Sequence, residues 1–248
     1  MATPVTAPET ALVRDLRGLV RQFLDLYGKD FVSLNLYGPA VDMEKPSREG
    51  EVQLLVVLSN VSLQTLEKTQ GLMATWWKSH RLAPLFVGRA EFDRSLDVFP
   101  LEFLHMKNRY ICLHGEDVLA AMKIEKQHVR LQVEEDLKTK IFWLRQFYVH
   151  YGKDEGSLRD TLVDSCQGIA RICDGLLLLK DTSLPRTSEA ALQALAHAYG
   201  IDIAPLHTLL TLSQSQTWPG RNSLIQLAYA YDRTLNELID IVDKMDQP

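Results

Sequence analysis

FVSLNLYGPAVDMEKPSREGEVQLLVVL, residues 31–58, is two strand-like runs joined through a tight glycine turn. FVSLNLY is rich in the β-branched and aromatic residues that favour strands, and Gly38-Pro39 stops it. VQLLVVL is apolar on both faces, the pattern of a strand buried on both sides. Between them AVDMEKPSREGE is polar, with Pro46 and Gly50, and predicts a loop. Side chains alternate along a strand, so Glu51 and Gln53 are expected on one face of the second run.

Upstream, Thr6-Ala7-Pro8-Glu9 has the capping-box pattern with proline in the first turn. It predicts an amphipathic helix carrying Leu12, Val13, Leu16, Leu19, Val20, Phe23 and Leu24, stopped at Gly28. Downstream, Ser62 is expected to cap a helix running to about His80, with Leu63, Leu66, Met73, Trp76 and Trp77 on its buried side. A short strand at 85–87 and a hairpin follow. The hairpin arms are LEFLHM (101–106) and YICLH (110–114), turning at Lys107-Asn108-Arg109.

Past residue 120 only helical spacing remains. It predicts a long helix over 126–151 ending at Gly152, and one capped by Ser157 with Asp160. Leu158, Leu162, Ser165, Ile169, Ile172, Leu176 and Leu179 form the seam of that second helix. Shorter helices follow over 188–199 and 206–212, and the last carries Leu224, Ala228, Tyr231, Leu235, Leu238, Val242 and Met245 on one face. The expected fold class is α+β: a mixed β-sheet braced by helices over residues 1–120, then an α-helical bundle over 121–248.

Residues 31–58 resemble the active-site segment of the nucleotidyltransferase fold, of the kanamycin nucleotidyltransferase and minimal nucleotidyltransferase group. The stretch SLDVFPLEFLHMKNRYICLHGEDVL and the helices behind it are similar to the continuation of bacterial members. The resemblance implies a phosphate-gripping Gly-Ser turn and a strand with two aspartates one residue apart that hold Mg²⁺. It also implies a third carboxylate that helps activate the acceptor. Here Gly38 keeps the turn glycine, while Pro39 replaces the serine and removes its hydroxyl and N–H. Glu51 and Gln53 stand where the aspartates would be, and Glu102 is the candidate third carboxylate. Glutamate lengthens the arm by a methylene; glutamine keeps an oxygen and loses the charge that a two-metal clamp needs. The resemblance therefore implies a pseudoenzyme, weak or inactive, with weak or absent Mg²⁺ binding through Glu51 and Glu102. It would bind a nucleoside triphosphate or a protein partner in an interdomain cleft. The alternative is an active enzyme using Glu51 and Glu102, with Mn²⁺ as a substitute metal, on a small-molecule or protein hydroxyl or amine.

Arg145 and His150 have an Arg-x4-His spacing that resembles HEPN ribonucleases, which implies a third reading as a toxin–antitoxin-type component. Five residues turn about 140° on a helix, so the two side chains do not share a face. Glu134, Glu135 and Asp136 form an acidic run that reads as a solvated helix face, and His197 and His207 read as structural. The chain is 46% hydrophobic and 24% charged with a net charge of −5, a globular composition without the basic excess of nucleic-acid binders. Nucleic acid is not an expected partner; a homodimer through the apolar seams is. Cys112, Cys166 and Cys173 include no CxxC pair, and the last two are expected as small buried residues. The start lacks a secretory signal and no apolar run reaches membrane length, so the expected location is cytoplasmic.

Overall fold

In a computed structural model that describes residues 10–42, 51–215 and 217–245, the two runs around Gly38 are strands β1 (Phe31–Tyr37) and β2 (Val52–Leu58). The capping box at Thr6–Glu9 and the loop residues Pro46 and Gly50 lie outside the described residues. Helix α1 (Ala11–Tyr27) is capped by Thr10, whose hydroxyl accepts from the Val13 N–H at 3.2 Å. Leu12, Leu16, Leu19 and Phe23 of α1 pack in one core cluster with Leu34, Leu36, Leu54, Val56 and Leu58 of the strands. The period of two that buries those leucines sends Ser33, Asn35, Tyr37 and Gln53 to the other face.

β1 and β2 pair antiparallel, with Tyr37 opposite Gln53. After β2 come α2 (Leu63–Glu67) and α3 (Gln70–His80), two helices where the sequence predicts one. Ser62 caps the first as expected, accepting from Thr65 N–H. The break falls beside Thr69, which is buried and hydrogen-bonded to the Tyr27 hydroxyl. Leu63, the first residue of α2, and Trp77 are exposed rather than buried, and Trp77 stacks under the Arg81 guanidinium instead. Trp76 packs against the core as expected.

Strand β3 (Leu82–Gly88) lies parallel to β2, and α4 (Arg89–Arg94) follows. The expected hairpin is not formed. Its first arm is helical, α5 (Pro100–Asn108), and only the second is a strand, β4 (Tyr110–Gly115). Pro100 opens that helix, the position its fixed φ favours. A short apolar run such as LEFLHM cannot be told from a strand by periodicity alone. β4 pairs antiparallel with β1, giving the sheet order β3-β2-β1-β4, and α6 (Val118–Ala121) ends this part.

The remaining helices are α7 (Lys126–Tyr151), α8 (Glu155–Cys166), α9 (Ile169–Leu179), α10 (Ser188–Tyr199), α11 (Ala204–Ser213) and α12 (Arg221–Lys244). The predicted seam from Leu158 to Leu179 spans two helices, broken at Gly168 with φ 78°. Asp154, not Ser157, is the cap: its carboxylate accepts from the Ser157 N–H at 2.7 Å. Leu158, Leu162, Ile169, Ile172 and Leu176 are all buried nonetheless, because the second helix resumes on the same side. By compactness the chain divides into one unit of residues 1–98 with 105–123, and another of 99–104 with 124–248. Among the described residues no helix is long and apolar enough to cross a membrane.

Candidate functional site

Gly38 follows directly on β1 with φ 75°, a left-handed conformation that favours glycine. Its N–H donates to the Arg109 carbonyl at 2.9 Å. The Arg109 guanidinium donates to the Pro39 carbonyl at 3.3 Å and pairs with Asp42 at 2.6 Å. An arginine therefore holds both sides of the turn, and sequence reasoning placed it in a hairpin loop without a role. The signal was out of reach locally. Arg109 meets the turn because Tyr110 pairs with Tyr37 across the β1–β4 ladder, a contact between distant parts of the chain.

The structure brings Gln53 to the same turn. Its side-chain oxygen hangs over Gly38: a Cβ built on that glycine would lie 2.6 Å from Gln53 Oε1. Glu51 is exposed, just ahead of the β2 ladder. Deeper on this face, Asn35 Nδ2 donates to Ser33 Oγ at 2.8 Å, and Ser33 Oγ donates to the Glu116 carbonyl at 2.6 Å. Asn35 Oδ1 is buried with no hydrogen-bond partner among the described residues. Among the described residues this face thus carries the amides of Asn35 and Gln53 and the Ser33 hydroxyl, and the Asp42 carboxylate sits at the turn against Arg109.

Glu102 sits on α5 rather than on a strand, and it belongs to the second unit, whereas Gly38, Pro39, Glu51 and Gln53 belong to the first. Both of its oxygens are engaged: Gln132 Nε2 donates to Oε2 at 2.9 Å and Arg171 pairs with Oε1 at 3.1 Å. The same Gln132 accepts from the Leu101 N–H at 2.8 Å, which fixes the start of α5. Of the acidic run on α7, Glu134 is paired with Arg130 and Lys138. Asp136 differs, since burial first and the nearby Glu102 second push its carboxyl above the usual range.

A pair of divalent cations needs bridging anionic oxygens. Among the described residues, the donor set at the turn does not fit such a pair, because the position over Gly38 is filled by a neutral amide and the residue after the glycine is proline. Among the described residues no group of three or more His, Cys, Asp or Glu side chains is placed to hold a metal ion.

In the second unit the Arg145 guanidinium is held across the bundle, donating to Asp232 Oδ1 at 2.9 Å and to Asn236 Oδ1 at 3.1 Å. His150 lies beside the Tyr151 ring near the end of the same helix, and the structure records no contact between it and Arg145. Cys166 and Cys173 are buried, which pushes their thiols up to about 11 and about 12 and keeps them protonated.

No known family profile matches this chain, and no curated protein sequence does. Among solved structures it is similar to a crystal structure of spectinomycin adenyltransferase AAD(9) from Enterococcus faecialis, with ATP and spectinomycin. The match covers 93% of this chain and 99% of that one, with a TM-score of 0.54 and 14% sequence identity.

Proposed function

The chain has the nucleotidyltransferase fold, and we propose that it is a nucleotidyltransferase-like protein, weak or inactive in transfer, that binds a nucleoside triphosphate at the Gly38 turn. One observation carries this reading: the amide of Gln53, in place of a carboxylate, stands over the turn glycine. A carboxylate there would repel a triphosphate unless a cation lay between them. An amide turned through half a rotation presents two N–H donors to phosphate oxygens, with no metal needed. Arg109 adds a guanidinium at the same turn, suited to phosphate once Asp42 releases it. The engagement of Glu102 with Arg171 supports the weakness of transfer, since that charge is already matched by a cation.

Isothermal titration of the full chain with ATP, GTP, CTP and UTP, in Mg²⁺ and in EDTA, tests this. Binding of at least one nucleotide that survives EDTA is expected. Arg109→Ala should weaken it by roughly tenfold or more, the worth of one charge-assisted hydrogen bond of ~1.5–3 kcal/mol. Gln53→Asp should convert the residual binding to a metal-dependent one. Binding seen only with Mg²⁺, together with label transfer to an amine or hydroxyl acceptor that Glu51→Gln abolishes, would establish an active enzyme instead.

A further inference from the structure

A groove of about 580 Å³ lies between helices α7 and α12, within the size range of small-molecule pockets. Its floor is Leu144 and Ala228, both buried, and Val149 stands exposed at its mouth. Tyr148 from α7 and Tyr229 from α12 meet in it, their hydroxyls 2.9 Å apart. One hydrogen bond between two phenols uses one O–H and leaves the other free to donate outward.

The charges in the groove do not balance. Arg145 and Asp232 cancel as a pair. Arg233 is exposed and makes no ion pair or hydrogen bond among the described residues. The Arg233 guanidinium is therefore the unmatched charge of a groove that also holds an apolar floor and a phenol donor.

We propose that this groove binds a small organic anion with an apolar body, such as an aryl carboxylate or sulfonate: its ring rests on Leu144 and Ala228, and its acid group faces Arg233 and the Tyr148–Tyr229 hydroxyls. The site is separate from the Gly38 turn, and its test does not depend on nucleotide binding.

The probe is 1-anilinonaphthalene-8-sulfonate, titrated by fluorescence against the full chain, beside its uncharged analogue N-phenyl-1-naphthylamine. Saturable binding of the sulfonate is expected. Arg233→Gln should weaken the sulfonate by roughly tenfold and the neutral dye by less than about threefold, because only the former loses a charge-assisted contact. Val149→Trp, at an exposed position, should weaken both dyes by filling the mouth. Trp143→Ala should change neither, since Trp143 lines a different groove, between α7 and α8. Three results each overturn the proposal: sulfonate affinity unchanged in Arg233→Gln, binding lost in Trp143→Ala, or signal that rises without saturation. Circular dichroism melts of the variants separate lost binding from lost folding.

Discussion

Gly38 is the residue on which the turn depends, for two separable reasons. Its φ of 75° suits glycine, and its missing Cβ leaves room for Gln53 Oε1. The backbone reason is the larger. A left-handed conformation costs an ordinary residue ~1–2 kcal/mol, whereas a long flexible side chain such as Gln53 swings aside cheaply. Gly38→Ala is expected to lower unfolding free energy by ~1–2 kcal/mol in urea titrations, and nearly all of that loss should persist in a Gln53→Ala background. A full rescue by Gln53→Ala would mean that contact, not conformation, selects glycine here. The glycine turn at Gly38, between two strands, was legible from residue types alone. Arg109 was not, because nothing in KNRYICLH announces which strand it will meet.

Helix α9 meets α7 through a glycine. A Cβ on Gly175 would lie 2.5 Å from Leu101 Cδ2 and 2.7 Å from Val133 Cγ2, both in fully buried side chains. Alanine gains about 1 kcal/mol of helix propensity over glycine, but overfilling a packed core costs ~1–3 kcal/mol. The clash should win: Gly175→Ala is expected to reduce stability by up to ~2 kcal/mol in a denaturant titration. A more stable variant would show that the two helices separate freely. On α7, Asp136 has a carboxyl raised above its ordinary value of 3.8, by burial and then by Glu102, despite the attraction of Arg171 and Lys140. An acid whose folded-state pKa is raised binds its proton more tightly when folded. That stabilisation is complete below about pH 3.8 and is lost as pH rises through the folded value. Asp136→Asn should therefore melt higher than the natural chain at pH 7, with the gap narrowing as the pH falls toward 3.8. At this scale the long periodic helices were readable in advance, including α7, α10 and α12. The misreadings were at α5, where six apolar-rich residues fit either period, and at the breaks at Thr69 and Gly168, where a helix stops and resumes.

The two units each own a core, one around α1 and the sheet and one within the helices. The second core takes Leu101 from α5, a residue that precedes β4 in the chain and is fully buried beside Val129, Val133 and Leu176. Truncating it leaves a cavity, and buried Leu→Ala changes cost ~2–5 kcal/mol. Leu101→Ala is expected to shift the unfolding of the helical unit by that amount while the sheet's hydrogen-exchange protection changes little. Equal loss of protection in both units would mean that they unfold as one. A division at residue 120, drawn where strand patterns give way to helical ones, cannot detect such a segment, because composition along the chain does not record which core a side chain enters. By itself the sequence determined the local chemistry: an α+β order, a glycine turn between two strands, and a glutamate and a glutamine where the second strand begins. Only the tertiary structure decided which of those groups meet. It set Gln53 and Arg109 on the Gly38 turn and gave Glu102 to Arg171 in the other unit. Periodicity is a property of neighbours along the chain, whereas a site is made by strand pairing and helix packing between residues far apart in it.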